Sequence, residues 1–215
     1  MKREVIADKG IWVAKKRYIL NAHDVEGVRY KEPKLKIMGV EAVKSSTPAA
    51  CREKIKDALK IIMNKDNKEL NSFIQDFRTE FMNLKPELIA YPRSVNGLNK
   101  WTESHNLFKK GAPIHCKGAI LYNHLLQDKK LQNKYPYIQE GDKIKFLHMK
   151  TPNVYQSTSI SFMTKLPNEL NLHNFIDYDM QFEKSFVEPL KFITDIIRWQ
   201  IDSSYGTQGT LEGFF

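Results

Sequence analysis

The feature that most constrains the fold is a change of hydrophobic periodicity at Thr47 and Pro48. Upstream of this point the residues favour strands. Downstream, apolar residues recur at steps of three and four, which is typical of an amphipathic helix, at Cys51, Ile55, Leu59 and Ile62. Thr47 is a residue type favoured at an N-cap, and proline is favoured at the first helical position. The sequence therefore predicts an α+β fold in which β structure comes first and helices dominate afterwards.

The β-rich segment, residues 15–45, is predicted to contain a hairpin. Its first strand covers residues 17–22, a turn follows at 24–27, and residues 28–30 return as the partner strand. Pro33 is predicted to stop that strand because proline cannot donate to a ladder. Strand-type residues resume at 35–43 around Gly39.

Further elements are predicted from the same patterns. A second helix carries a stripe of Leu70, Phe73, Ile74, Phe77 and Phe81 and forms an antiparallel hairpin with the first helix. A last long helix begins near Tyr178, and Pro189 is predicted to kink or split it. The sequence between them predicts irregular chain at 85–112 around a short strand at 88–91, a helix after Pro113, and partner strands at 143–149 and 159–163.

Composition and charge narrow the function classes. The 215 residues are 41% apolar, which is enough for a core in one or two domains. Their net charge is +9. Residues 1–60 hold 15 Lys and Arg against 8 Asp and Glu, and residues 88–150 hold 11 against 4. Two basic blocks favour a surface that lies along a polyanion, although lysines that serve only solubility remain an alternative.

Targeting and cysteine usage indicate an intracellular, reducing environment. Cys51 and Cys116 have no metal-type spacing and predict no disulfide framework. The first residues contain no apolar segment of a signal peptide, and no run of 18 apolar residues predicts a membrane span.

The final eight residues predict a binding peptide. Gln208, Leu211, Phe214 and Phe215 follow a spacing that places the apolar side chains on one side of a single helical turn. A terminal Phe-Phe is rarely left in water. The pattern resembles the peptide by which replication proteins bind ring-shaped sliding clamps. The alternative is an ordinary C-terminus that folds back on its own core.

Sequence motifs of catalysis are largely missing. The chain contains no P-loop, no G-x-S-x-G, no H-E-x-x-H and no paired-cysteine metal motif. Asp177 and Asp179 lie where a helix is predicted to begin, so their expected role is helix capping. His115 and Cys116 have no visible catalytic partner and are interpreted as packing residues. The residues by themselves therefore indicate a binding protein.

Four segments together resemble the C-terminal part of the family B DNA polymerases of T-even-type phages and their cyanophage relatives. They are residues 15–18 (Lys-Lys-Arg-Tyr), 34–48, 111–123 and 177–186. The resemblance covers nearly the whole chain and ends in the clamp-type peptide. It implies the C-terminal portion of a palm at residues 1–46, a mainly helical thumb with a small β element at 47–200, and a flexible, clamp-binding tail at 201–215.

The resemblance also implies site residues. Lys16 and Tyr18 match a palm motif that grips the newly made primer duplex, with Lys15 and Arg17 as basic flanks. Alternation along a strand would project Lys16 and Tyr18 from one face, where a cation and an aromatic hydroxyl suit backbone and groove contacts. Lys36 is expected to contact a primer phosphate. In the thumb, Lys117 is the best candidate, followed by Lys109 and Lys110.

One departure from the family shapes the functional prediction. The D-x-x-S-L-Y-P-S and D-T-D-S motifs, whose aspartates hold two Mg²⁺ ions in the complete polymerase, are not in this sequence. The chain is therefore expected to have no catalytic or metal-binding residues and to be inactive alone. The expected partners are primer–template duplex DNA, a sliding clamp, and an N-terminal polypeptide carrying exonuclease, fingers and catalytic palm. Either a split gene or a truncated product would account for the absence of the two aspartate motifs from this sequence.

The expected location is the cytoplasm of an infected bacterial host. The alternative is a free-standing replication accessory protein that binds clamp and nucleic acid without a polymerase core.

Overall fold

The computed structural model describes residues 4–103 and 107–202, which divide between two compact units. Unit 1 comprises described residues 4–80 and 182–202, and unit 2 comprises described residues within 81–181. Each unit contains a three-stranded antiparallel sheet together with helices, which confirms the predicted α+β class. The units are not divided at residues 46 and 47, and the assignment of palm, thumb and tail stays a prediction.

The sheet of unit 1 has the order β1 (Val5–Ala14), β2 (Arg17–Val25) and β3 (Val28–Met38). The predicted hairpin is confirmed as β2 and β3. Strand structure begins at Val5, ten residues before the predicted β-rich segment 15–45. The prediction that Pro33 stops its strand is wrong. β3 is an edge strand, and its pairing with β2 shifts register between Ala22 and Asp24. Residues 30–33 of β3 lie in this irregularity, and proline is tolerated at edges and bulges.

Two helices follow where the sequence predicts them, α1 (Ala49–Asn64) and α2 (Asn67–Phe81). The predicted cap of α1 is wrong, because Pro48 and not Thr47 is the N-cap and no side chain caps the helix. Lys54 near the start of α1 bonds Glu80 near the end of α2, with 2.6 Å between Nζ and Oε2. That contact confirms the antiparallel hairpin. The Asp66 carboxylate accepts the Glu69 N–H at 2.9 Å and caps α2.

Unit 2 contains α3 (Pro86–Ile89), β4 (Tyr91–Ser94), α4 (Leu98–Trp101), α5 (Ile114–Asp128), β5 (Lys143–His148) and β6 (Ser159–Phe162). Its strands pair in the order β4-β5-β6. The predicted helix after Pro113 and the pairing of the last two strands are confirmed. The strand predicted at 88–91 is wrong in position, because a helical turn occupies 86–89 and the strand begins at Tyr91.

Helix α5 packs against the backbone of β6. The hydroxyls of Ser159 and Ser161 donate to the carbonyls of Ile114 and His115, at 2.6 and 2.8 Å. A Cβ at Gly118 would lie 2.6 Å from Ser161 Oγ and 2.7 Å from Ser161 N. Glycine is therefore what allows the helix to approach the strand this closely.

The last helical segment changes its hydrogen-bond pattern just before Pro189, where the sequence predicts a kink or a split. It consists of α6 (Tyr178–Phe182), a π-helical turn (Glu183–Val187) and α7 (Glu188–Thr194). Proline has no N–H to donate back into the preceding turn. The Glu188 N–H instead bonds the Glu183 carbonyl five residues back. The ring of Phe186 meets that of Phe77 edge-on, 4.7 Å between centroids, within the core of unit 1.

Within the described ranges, no helix combines the length and the hydrophobicity needed to span a bilayer.

Candidate nucleic-acid interface

The turn between β1 and β2 brings together the basic residues predicted to bind DNA. Lys15 and Lys16 form its two-residue loop and Arg17 opens β2, and all three residues are exposed. Lys16 has a φ of 62°, a left-handed conformation that costs a non-glycine residue roughly 1–2 kcal/mol. Lys16 therefore lies in the turn. The argument that Lys16 and Tyr18 alternate along one strand is wrong, whereas their proposed role stays a prediction.

Gly39, just after β3, lies directly against this turn. Its φ is 66°, and a Cβ there would lie 2.4 Å from the carbonyl oxygen of Lys16 and 3.0 Å from Cγ of Arg17. A backbone carbonyl cannot move aside as a flexible side chain can. Glycine is required at this position, and the end of β3 supports the basic turn.

The strand register places an aromatic row beside the turn. Tyr18 lies opposite Trp12 of β1 and Met38 of β3. Directly opposite residues share a face of the sheet, and so do alternate residues of one strand. Lys36 lies opposite Leu20, two residues along β2 from Tyr18. The sheet therefore brings Tyr18 and Lys36, two of the predicted site residues, to one face.

This face is exposed, and the other face of the sheet is turned to the core. Trp12 is 67% exposed and Met38 45%. On the other face, Ile19 is fully buried and lies opposite Ile11 and Ile37. A one-residue slip would exchange the two faces, so burial of Ile11 and Ile19 fixes which side chains are presented to solvent.

The cations at this site differ from those on α1. No ion pair joins Lys15, Lys16, Arg17 or Lys36 to any residue in the described part of the chain. The α1 lysines are paired within unit 1, Lys54 with Glu80, Lys56 with Glu53 and Lys60 with Asp57. A cation without an internal counter-ion is well suited to neutralise a phosphate. The turn is therefore a candidate for contact with a nucleic-acid backbone.

The predicted thumb lysines lie in unit 2. Lys117 is half-buried in the first turns of α5, and its Nζ lies 5.6 Å from the centroid of the Phe108 ring. Lys109 and Lys110 are exposed in the chain that precedes α5. All three are placed by one helix and the segment leading into it.

Sequence reasoning missed Arg93, on β4. Its guanidinium carbon lies 5.6 Å from the centroid of Tyr91 and 6.0 Å from that of Phe146. Those rings stack across the strands with centroids 5.1 Å apart. Burial, and then the charge of Arg93, lower the pKa of His115. Arg93 could be recognised only from the pairing of Tyr91 with Phe146 across β4 and β5. The sequence prediction placed the strand at 88–91, which leaves Arg93 outside it.

The remaining predicted features have simpler roles. The Asp177 carboxylate accepts the Met180 N–H at 2.9 Å, which confirms the predicted cap. Cys116 is buried and its thiol lies 3.6 Å from the Asn96 carbonyl, as expected of a packing residue. Among residues 4–103 and 107–202, no three potential metal ligands come together. The peptide residues Gln208, Leu211, Phe214 and Phe215 lie outside the described residues.

Comparison with known proteins gives two relatives. The DNA-directed DNA polymerase of Enterobacteria phage T4 is 31% identical over 185 residues, which cover 84% of this chain. That of Escherichia phage RB69 is 35% identical over 207 residues, or 90% of the chain. The chain spans about a fifth of each relative, 20% and 22% of their lengths. No protein-family model matches it. The chain is homologous to part of the DNA-directed DNA polymerases of phages T4 and RB69, which confirms the resemblance found in its sequence.

Proposed function

We propose that this chain is the noncatalytic C-terminal part of a phage replicative DNA polymerase, which grips primer–template duplex and tethers the enzyme to a sliding clamp. The observation that carries the proposal is the cluster of cations at the β1–β2 turn, which make no ion pair within residues 4–103 and 107–202, in a chain homologous to DNA polymerases. Residues 1–46 would complete the palm, residues 47–200 would form the thumb, and residues 201–215 would form the tail.

The DNA grip would combine charge with groove contact. Lys15, Lys16 and Arg17 would neutralise successive phosphates, and Lys36 a further one on the same sheet. The Tyr18 hydroxyl would reach a minor-groove acceptor beside them. In unit 2, Lys117, Lys109 and Lys110 would hold the duplex product by its phosphates. None of these contacts makes or breaks a bond, so the contribution is to keep the primer terminus in place.

Catalysis would reside in an N-terminal polypeptide. Aspartates of that partner would hold the two Mg²⁺ ions of nucleotidyl transfer, and these would supply charge stabilisation to the reaction. This chain would contribute the position of the primer on which that chemistry acts.

The tail would act as a tether. Docking of Leu211, Phe214 and Phe215 in a clamp pocket would raise the effective concentration of the DNA grip near its template. Phe214→Ala with Phe215→Ala should abolish binding to the clamp in a pull-down, while affinity for duplex DNA stays the same. Unchanged clamp binding would contradict the tether.

The deciding experiment is primer extension on a primed template with this chain, the N-terminal polypeptide, and both. Processive extension that needs the mixture is the expected result. If the mixture gains nothing although this chain binds DNA and clamp, the polymerase proposal fails and the accessory-protein alternative takes its place.

A further inference from the structure

The open face of the unit 1 sheet holds a tryptophan that the proposed grip does not use. Atoms Cζ3 and Cη2 of Trp12 lie 2.7 Å from the position that a Cβ would occupy on Gly10, and Cδ2 of Leu20 lies 2.8 Å from it. The missing side chain at Gly10 therefore gives the six-membered ring of the indole room to lie over the sheet. Although held there, Trp12 remains 67% exposed.

Trp12 does not stand alone on this face. It is the first member of the row Trp12, Tyr18 and Met38. The row lies beside the loop of Lys15 and Lys16, which make no ion pair with any residue in the described ranges. An exposed aromatic ring next to uncompensated cations is the combination by which proteins bind single-stranded nucleic acid, because the ring takes a base and the cations take the phosphates.

We propose that Trp12 is a stacking platform for an unpaired nucleobase, with Lys15 and Lys16 holding the adjoining phosphates. The inference rests on the proposed function and deepens it, because it adds a site for a frayed or mismatched primer end to a grip on paired duplex. A base inside a duplex has both faces covered by its neighbours, so away from the duplex end only an unpaired base can lie on the indole. Readout of paired bases needs hydrogen-bonding groups at the groove, and an indole supplies a single N–H.

The test uses Trp12 as its own reporter. The chain has three tryptophans, so the full-length Trp101→Phe, Trp199→Phe variant leaves Trp12 as the only one. It is titrated with single-stranded oligothymidylate, with a fully paired primer–template, and with a primer–template carrying two mismatched nucleotides at the primer 3′ end. Trp12 fluorescence should change strongly with the first and third DNAs and little with the second.

Substitutions then separate stacking from general affinity. Trp12→Ala should weaken binding of the mismatched primer–template by roughly 5- to 150-fold, the range expected for loss of one stacked base, and binding of paired duplex by less than twofold. Trp12→Leu should behave like Trp12→Ala, because leucine restores apolar area without a ring face. Phe192→Ala is the matched control, since Phe192 is an equally exposed aromatic of unit 1 at 70%, and it should leave both affinities unchanged.

Three results would overturn the stacking site. One is an unchanged affinity for the mismatched primer in Trp12→Ala. Another is an affinity of Trp12→Leu for the mismatched primer–template equal to that of the unsubstituted chain. The third is protection of Trp12 from acrylamide quenching when the N-terminal polypeptide is added without DNA, because the face would then be a subunit contact. In all three, paired duplex can still bind through Lys15 and Lys16, so the proposed function survives. If the unsubstituted chain binds none of the three DNAs, the proposed function itself is rejected.

Discussion

The two sheets of this chain share a topology and differ in what covers them. In each, three strands pair antiparallel in sequence order. All four residues of β6 in unit 2 are buried, with α5 held against that strand by its backbone. The sheet of unit 1 leaves Trp12 and Met38 in solvent beside a basic turn. The same pairing pattern therefore serves as internal scaffold in one unit and presents a candidate binding surface in the other.

Charge pairing also differs between one site in each unit. In unit 2, Lys134 and Tyr135 both bond the carboxylate of Glu169, so that cation is compensated inside the unit. At the turn of unit 1, Lys15 and Lys16 have no such partner in the described ranges. Compensated charges contribute to the fold, whereas uncompensated ones are available to a ligand.

Gly39→Ala should have the largest effect, because a Cβ there meets the Lys16 carbonyl and φ is also positive. We expect a loss of about 2–4 kcal/mol in the free energy of unfolding from strain and overlap together, with weaker duplex binding as the turn shifts. Urea unfolding and a DNA titration measure the two effects. Gly27→Ala is the matched control, since Gly27 has a φ of 90° and nothing within 4 Å of its added Cβ. Equal losses in both variants would show that the turn does not rest on Gly39.

Gly118→Ala comes next and tests the scaffold of unit 2. The added methyl group would overlap Ser161 at the contact between α5 and β6, so we expect about 1–3 kcal/mol of destabilisation. The measurement is again urea unfolding. Binding of duplex at the β1–β2 turn, measured under conditions where the variant is folded, should change less than in Gly39→Ala. A variant as stable as the original chain would mean that α5 can move away from β6.

Lys15→Ala with Lys16→Ala tests the difference between cations that make no ion pair in the described ranges and cations that do. Loss of two phosphate contacts should reduce the slope of log affinity against log salt by roughly two. Lys56→Ala with Lys60→Ala removes the same charge from α1, where both lysines are paired with carboxylates. That control should leave the slope nearly unchanged. Equal slopes for the two double variants would remove the turn from the DNA grip.

The smallest effect is expected at Glu169, through pH. The hydrogen bond from Lys134, followed by those from the backbone and Tyr135, lowers the pKa of Glu169 from its ordinary 4.5 to about 2. A lowered pKa in the folded state gives stability that is present above about pH 4.5 and is lost as pH falls towards 2. Glu169→Gln should therefore be slightly less stable at neutral pH, and the difference should vanish in acid. A difference that persists at pH 2 would show that packing, and not charge, is responsible.

Local patterns predicted the elements whose determinants lie within one segment. The stripes of α1 and α2 and the interruption at Pro189 were readable because period and proline chemistry act locally. β1 was missed because Asp8, Lys9 and Gly10 interrupt its apolar residues. The prediction that Pro33 ends its strand was wrong because a proline is tolerated in an edge strand, and only the assembled sheet shows that β3 is one.

The candidate site was predicted in residue type and only partly in geometry. Lys15–Tyr18 and Lys36 were recognised from a motif, yet the position of Lys16 in the turn depends on Gly39, more than 20 residues away. Trp12 joins the same face only through cross-strand register. Such contacts between distant segments are set by tertiary packing, and no periodicity in a single sequence contains them.

The two cysteines give each unit its own reporter of local opening. Cys51 lies in unit 1 and Cys116 in unit 2, and neither is accessible to solvent. Burial raises the pKa of Cys51 to about 12 and also raises that of Cys116. A thiol reagent can therefore modify each sulfur only when its surroundings open. The two labelling rates, followed by mass spectrometry, give an opening free energy for each half of the molecule, and their ratio with and without DNA reports which half the ligand closes.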